Sequence, residues 1–367
     1  MRFPGFTEPW QKCFISQFGD IITGNTPSTS QPENYIDEGY LWASPSDLNV
    51  TKYVYGTKTR LSEIGFQKTR IIPKHSILVT CIGSTIGKMG MASTVMSTNQ
   101  QINTIVANSS FDKDFVYYAI QSRFPKYLSS IAVQAVPILS KSTFGELENY
   151  YPSIIEQKRI GELLSLLDER IDTQRRLIED LEKLRYAIRN KLFQSIQGKN
   201  LPLENVADII KGKQLNSEFL MKSGSYYVMN GGIEPSGYYH TFNVSSNTIS
   251  ISEGGNSCGY VQWNNTPFWS GGHCYTLNIK DRSIEDKYLY HFLKWREADI
   301  MKLRIGTGLP NIQKKDLARV TIEIPTSSLQ TKIICLLDFY NAKIENETYV
   351  LELYNRQKLY LLSQMFI

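Results

Sequence analysis

No uninterrupted apolar run in this 367-residue chain approaches the about 18 residues a membrane-crossing helix needs, which excludes a transmembrane helix. The opening MRFPGFTEPWQKC lacks the apolar stretch of a secretory signal, so a cytoplasmic location is expected. Cysteine is scarce. Cys13, Cys81, Cys258, Cys274 and Cys335 are odd in number and scattered, which argues against a disulfide framework and suits a reducing compartment. Neither charge sign dominates: a formal net charge of +5 permits a nucleic-acid partner without establishing one. Hydrophobic residues make up 41% and aromatics 12%, enough for real cores, so the chain as a whole is not disordered. The length suits two or more domains.

Catalytic signatures are also missing. GSTIGKM (Gly83 to Met89) has one residue too few between its glycines for a phosphate loop, and Met89 stands where Ser or Thr should be. No G-x-G-x-x-G opens a helix after a strand. No Asn-Pro-Pro-aromatic or Asp-Pro-Pro-aromatic stretch occurs, so the usual amino-methyltransferase loop is absent. Cys258 with His273 and Cys274 fits no zinc spacing, so no metal site is expected.

What is present is a repeat. At a shift of 173, Phe115 meets Tyr288, Tyr117 meets Tyr290, Pro137 meets Pro310 and Pro152 meets Pro325. At the same shift Gln157 meets Gln330, Ile160 meets Ile333, Ile171 meets Ile344 and Phe193 meets Phe366. The starts align at 188, FGDII (Phe18 to Ile22) on VADII (Val206 to Ile210), which implies insertions inside the first globule. The expected domains are 1–152 and 199–325, each followed by a long helix, 153–198 and 326–367. Each globule reads as mixed α/β. Short β-rich runs (SILVTCI, INTIVA, NTISIS, CYTLNI) precede one helix, Asp112 to Arg123 or Asp286 to Arg296.

Along the first long helix Ile160, Leu164, Leu167, Ile171, Ile178, Leu181, Ile188 and Leu192 keep coiled-coil phase. The second carries Ile333, Leu337, Tyr340, Ile344, Leu351, Tyr354, Leu361 and Met365 at matching phases. Neither stripe can stay exposed, so each is expected to cover the other. The chain order favours an antiparallel coiled coil roughly 60 Å long, a spacer with a globule at each end and a pseudo-twofold repeat.

Between Thr51 and Gly90 the bases Lys52, Lys58, Arg60, Lys68, Arg70, Lys74 and Lys88 face Glu63 alone, with Tyr53 and Tyr55 interleaved. That composition suits phosphate contacts, with Asn99, Gln100, Gln101 and Asn103 available for base edges. The second globule offers Lys211, Lys213, Asn230, Tyr238, Tyr239, His240, Asn256, Tyr260, Trp263 and Asn264, then Lys302, Arg304, Lys314 and Lys315. Any one of these lysines is more often a solvated surface charge, and Asn230 or Asn256 is equally at home as a turn residue.

RFPGFTEPW (Arg2 to Trp10), PSIIEQKRIGELLSLLDERIDTQ (Pro152 to Gln174), GTGLPNIQKKDL (Gly306 to Leu317) and IPTSSLQTKI (Ile324 to Ile333) together resemble the specificity subunits of Type I restriction–modification enzymes. SEGGNSCGYVQW (Ser252 to Trp263) and WSGGHCYTL (Trp269 to Leu277) look like a recurring type of second recognition domain. The likeness covers essentially the whole chain. It departs at AVPILSK (Ala135 to Lys141), which stands in the first domain for GTGLPNI, and at LQTKI (Leu329 to Ile333), which stands for EQKRI. The resemblance implies two target-recognition domains that each read half of a bipartite double-stranded DNA site, and a helical spacer that sets the gap. It implies two modification subunits that use S-adenosylmethionine to methylate adenine, and two ATP- and Mg-dependent restriction subunits. The helix pair would be their docking surface, and this chain would hold no cofactor and no catalytic residue. It places the loops Gly83–Lys88 and Gly254–Tyr260 at equivalent positions near DNA, adding Ser84, Thr85 and Ser257 to the contacts, and Lys141 from the AVPILSK segment. Gly308, Pro310 and Asn311 are expected to shape a loop near the partner or the helix base. Two other readings compete: an adenine methyltransferase or nuclease in its own right, which should bind cofactor alone, and an adaptor bridging two proteins, which should show no salt-dependent DNA affinity.

Overall fold

The computed structural model describes residues 2–131, 138–306, 308 and 310–366. Residues 135–137, which open AVPILSK and include the Pro137 of the repeat, lie outside the described residues, as do Thr307 and Leu309 of GTGLPNI. The chain is mixed α/β and folds as two compact units, Met1–Leu177 with Glu347–Ile367, and Ile178–Asn346. Two long helices, Ile154–Ser195 and Ser327–Met365, each begin in one unit and end in the other.

In the first unit an antiparallel sheet core carries the strands in the order Gly19–Thr23, Ile102–Ala107, Ile77–Thr80 and Met89–Ala92, with Tyr53–Val54 added parallel at the edge. Ile77, Val79, Met89, Met91 and Ile105 are buried from this sheet against Phe115, Tyr118 and Ala119 of the helix Lys113–Ile131. Ile160 and Leu164 of the first long helix and Leu362 and Met365 of the second close the same core. The helix Lys113–Ile131 runs past the Arg123 end read from the sequence and continues through Pro125.

The second unit repeats this plan. Its strands run Ala207–Lys211, Cys274–Ile279, Thr248–Ser252, Val261–Asn264, with the helix Asp286–Trp295 against them. Each unit also pairs a strand near its start with the strand that leads into a long helix: Gln11–Phe14 with Glu148–Tyr151, and Lys199–Pro202 with Thr321–Ile324. The extra chain of the first unit lies between Thr23 and Ile77 and builds a second small sheet around Tyr35–Ala43. In the second unit the corresponding stretch gives the aromatic strands Tyr226–Met229 and Gly237–Tyr239, joined by Trp269–Ser270.

A buried glutamine pins each long helix to its own unit. Gln157 donates to Pro152 O (2.9 Å) and accepts from Asp112 N (3.0 Å). Gln330 donates to Pro325 O (3.0 Å) and accepts from Glu285 N (2.9 Å). Gly161 lets the first helix pass close to the neighbouring helix start, since a Cβ there would lie 2.6 Å from Asp112 Oδ1.

The helices pair antiparallel within each unit. In the first, Asp168 meets Lys358 (2.6 Å) and Gln174 meets Glu347 (2.5 Å), so one number rises as the other falls. In the second, Arg185 donates to Asn341 (2.9 Å), while Phe193 shares a core with Ile333 and Leu337. Of the expected seam, Ile160, Leu164, Leu167, Ile171, Ile333, Leu337 and Ile344 are buried. Ile178, Leu181, Ile188, Tyr340, Leu351, Tyr354 and Leu361 are half-buried. The seam is not purely apolar: Asp168, Gln174 and Glu347 are buried beside it.

Candidate functional site

The two loops singled out by their glycines form the same hairpin turn. In the first unit it joins Ile77–Thr80 to Met89–Ala92, and in the second Thr248–Ser252 to Val261–Asn264. Thr80 N donates to Lys88 O (2.8 Å) and Gly87 N to Thr80 O (2.9 Å); Ser252 N donates to Tyr260 O (2.9 Å) and Gly259 N to Ser252 O (2.8 Å). Inside the turn, Ile86 N donates to Gly83 O (3.1 Å) and Cys258 N to Gly255 O (3.1 Å). The register is a shift of 172, and only glycine recurs where the turn demands it. Gly83 and Gly87 have φ of +94° and +91°, Gly255 and Gly259 of +83° and +94°, a left-handed region that side chains disfavour.

Each turn is braced from the same two sides. Cys81 N donates to Gln101 O (2.7 Å) and Glu253 N to His273 O (2.9 Å). Leu139 N donates to Cys81 O (2.8 Å) and Ile312 N to Glu253 O (2.8 Å). In the second unit Gly255 N also donates to Pro310 O (2.9 Å), and Gly254 bridges Asn311. Pro310 and Asn311 therefore belong to a loop that lies against the hairpin.

The predicted contacts fall into three groups. The first lies on or beside the turns. Ser84 is exposed and Thr85 and Lys88 are half-buried on the first turn; Asn256 is exposed and Ser257 half-buried on the second. Asn230 Oδ1 accepts from His273 N (3.2 Å), and Lys211 Nζ reaches Glu253 Oε1 (2.6 Å). Arg304 is exposed and close enough to bear electrostatically on Cys258.

The second group is held elsewhere on the surface. Arg70 donates to Thr23 O (2.6 Å), while Lys68 donates to Asn34 Oδ1 (2.8 Å) and Gln31 Oε1 (3.1 Å). Asn25 ties these together by donating to Lys68 O (2.9 Å) and accepting from Arg70 N (2.8 Å). Gln100 accepts from Thr26 Oγ1. Lys58 is exposed, and Arg60 makes a long contact to Gly39 O (3.5 Å). Lys141 is exposed at the start of the short helix Lys141–Gly145. Lys213 is exposed, with its carbonyl accepting from Trp269 Nε1 (3.0 Å); Tyr238 is half-buried on Gly237–Tyr239; Lys314 is exposed on Lys314–Ala318.

In the third group Lys52 is corrected by the structure, and two half-buried aromatics each have a partner on the neighbouring helix. Lys52 is expected from the sequence among the phosphate contacts, but its side chain is 4% exposed, with Nζ 2.6 Å from both Asp114 Oδ1 and Ser165 Oγ. An ammonium enclosed in that way cannot reach a backbone phosphate. Tyr260 lies under Lys294 Nζ, 3.9 Å from its ring centre, and burial pushes its hydroxyl pKa up. Trp263 packs on Tyr290 (centroids 5.8 Å apart) and lines a cleft with Asp338 and Asn341. Both aromatics serve the contact between the sheet and the helix Asp286–Trp295.

Burial also settles the thiols. It pushes Cys81 up to about 12 and Cys274 to about 11, and raises Cys258, so none is a thiolate near neutral pH. Among the described residues no group of three or more His, Cys, Asp or Glu is placed to hold a metal. Among the described residues no helix is long and apolar enough to cross a membrane. Sequence reasoning misses Glu253 as part of the turn and weighs His273 only as a metal ligand. The available signal is the shift of 172, which sets these two residues on Cys81 and Gln101.

Known proteins bear on this geometry. The family model described as the Type I restriction modification DNA specificity domain matches residues 7–183 and again 199–353. A relative from Methanocaldococcus jannaschii, the Type I restriction enzyme MjaIX specificity subunit, is 25% identical over 92% of this chain and 88% of its own. The Type I restriction enzyme HindI specificity subunit of Haemophilus influenzae is 33% identical over 45% of this chain and 38% of its own. A relative from Mycoplasma genitalium named a putative type I specificity subunit is 32% identical over 48% of each chain, so this chain spans about half the length of that relative. The crystal structure of a Type I restriction-modification S subunit from M. genitalium shares the fold, with a TM-score of 0.72 at 22% identity over 100% of this chain and 97% of that one.

Proposed function

The chain belongs to the Type I restriction–modification DNA specificity family, and from that premise we propose that it is the DNA-recognition subunit of such a complex. Its two recognition domains, residues 1–152 and 199–325, each read one half of a bipartite site in double-stranded DNA. The helical segments 153–198 and 326–367 set the gap between the halves. The observation that carries this reading is the braced hairpin turn, repeated in both units with one hydrogen-bond register and left-handed glycines. Such a turn presents bare backbone and short polar groups, which suits close approach to base edges.

Phosphate contacts come from exposed bases on the same domains, Arg304 beside the second turn and Lys58, Lys68, Arg70, Lys141, Lys213 and Lys314 elsewhere among them. Those contacts fix register and supply salt-dependent affinity. Two modification subunits, carrying S-adenosylmethionine, flip and methylate an adenine in each half. Two ATP- and Mg-dependent restriction subunits complete the complex. The outward apolar side chains of the helices, Ile155 (63% exposed) and Phe339 (62%) among them, suit docking of these partners. This chain works in the cytoplasm, holds no cofactor and performs no chemistry of its own.

The test is methylome sequencing of a host expressing this chain with its modification subunit. Methylated adenines in both halves of a split motif with a fixed gap are expected. An intact complex that adds no methylation would refute the reading. Alanine at Lys68 and Arg70 should weaken binding on every sequence and lower the salt slope by about 1 for each phosphate no longer neutralised.

A further inference from the structure

In the second unit, charged groups gather at the mouth of the hairpin. Glu253, the first residue after the strand Thr248–Ser252, is 8% exposed. Its Oε1 accepts from Lys211 Nζ (2.6 Å) and Tyr275 OH (2.9 Å). Its Oε2 is buried and, among the described residues, accepts no hydrogen bond. His273 Nδ1 lies 3.9 Å from that oxygen, on a side chain that is 60% exposed. A buried carboxylate oxygen without a donor costs energy, and native folds keep such groups where another task requires them.

Glycine backbone passes close to one side of His273. A Cβ at Gly231 would sit 3.1 Å from His273 Cβ, and one at Gly254 would sit 3.5 Å from Nδ1. Asn230 holds the His273 N–H (3.2 Å). The residue is thus held at its root, with Nδ1 facing the Glu253 carboxylate at 3.9 Å, while the side chain as a whole is exposed.

The first unit fills the corresponding positions with neutral groups. Cys81 stands for Glu253, Asn103 for Tyr275, Thr23 for Lys211 and Gln101 for His273, as the strand registers require. There Thr23 Oγ1 donates to Asn103 Oδ1 (2.7 Å), and Asn99 donates to Gln101 Oε1 (3.1 Å). One backbone frame therefore presents an amide from the first unit and a carboxylate-backed imidazole from the second.

Resting on the DNA-recognition reading above, we propose that His273 is a specificity-determining residue of the second domain, contacting one base edge of its half-site, with Glu253 as its positioning residue. With Nδ1 turned to the carboxylate, Nε2 is the atom left to meet the base in the major groove. By the same frame, Gln101 occupies the reading position of the first domain.

The test uses the complete complex of this chain with its modification subunits. Methylome sequencing and binding to DNA duplexes varied one base at a time are compared for the parent, His273→Ala, His273→Gln and Glu253→Gln. His273→Ala should lose about 10-fold discrimination at one position of one half-site and leave the other half unchanged. His273→Gln should change the preferred base at that position. Glu253→Gln should relax the same position with the complex still assembled, which a merely structural role would not do. Uniform weakening on all sequences with a reduced salt slope would make His273 a phosphate contact and overturn the proposal. An unchanged motif in His273→Ala would also overturn it. If the parent complex itself yields no split motif, the DNA-recognition reading fails first.

Discussion

Replacing Lys52 by methionine separates the structural account of this residue from the one its sequence suggests. Lys52 Nζ bonds Asp114 and Ser165 and lies 4.6 Å from the centre of the Tyr118 ring. The two partners respond differently to the pairing. Burial lowers the Lys52 pKa despite Asp114, so the ammonium loses more hydration than the pair returns. Burial pushes Asp114 up, but Lys52 and Lys113 together hold it below its ordinary value. The pair as a whole is therefore near break-even, while removing one member strands the other. Methionine keeps the stem volume and leaves Asp114, 19% exposed, with Lys113 at 3.4 Å and the Tyr53 hydroxyl but without the buried ammonium. The expected cost is about 3 kcal/mol, or about 6–12 °C in melting temperature for a unit of this size. Thermal and urea unfolding should show that loss, and adding Asp114→Asn should recover part of it. DNA binding by the folded variant should keep its salt slope. Unchanged stability with a slope reduced by about 1 would return Lys52 to the phosphate contacts and refute the reasoning.

The hairpin glycines offer a matched pair. A Cβ at Gly87 would meet Phe124 Cδ1 at 2.7 Å, and one at Gly259 would meet Met301 Cα at 2.9 Å, both at left-handed φ. Alanine at either should cost at least about 2 kcal/mol of local stability, and binding to half-site variants should show each variant losing recognition of a different half. Gln157→Ala and Gln330→Ala each remove a donor and an acceptor from buried backbone partners, so unfolding should report about 2 kcal/mol or more for each; a loss below about 0.5 kcal/mol in both would refute the pinning role. Burial lowers the His291 pKa, with Asp338 opposing and Lys287 and Arg189 adding to the shift. Below about pH 6.5 the unfolded chain then binds a proton that the folded chain resists, so stability falls as pH drops through that window. His291→Gln should flatten that part of the profile, and an equally steep decline in the variant would remove His291 as its cause.

The repeat and both long helices were legible because each rests on local periodicity. Leu164 and Ile333 declare their burial by spacing alone, and Gln157 and Gln330 fall into register at one shift. The hairpin glycines were legible for the same reason: a left-handed turn leaves few other choices of residue.

Only the tertiary structure decided what the charged residues do. Lys52 and Lys68 look alike in sequence, yet one is enclosed by Asp114 and Ser165 and the other is exposed with Asn34 and Gln31. Tyr260 and Trp263 have the composition of DNA contacts, and folding sets each half-buried ring against a residue of the helix Asp286–Trp295. Glu253 and His273 meet because two strands pair in one register, although they lie 20 positions apart in the sequence. Backbone periodicity is written in neighbouring residues, whereas the environment of a charge is set by chain segments that only folding brings together.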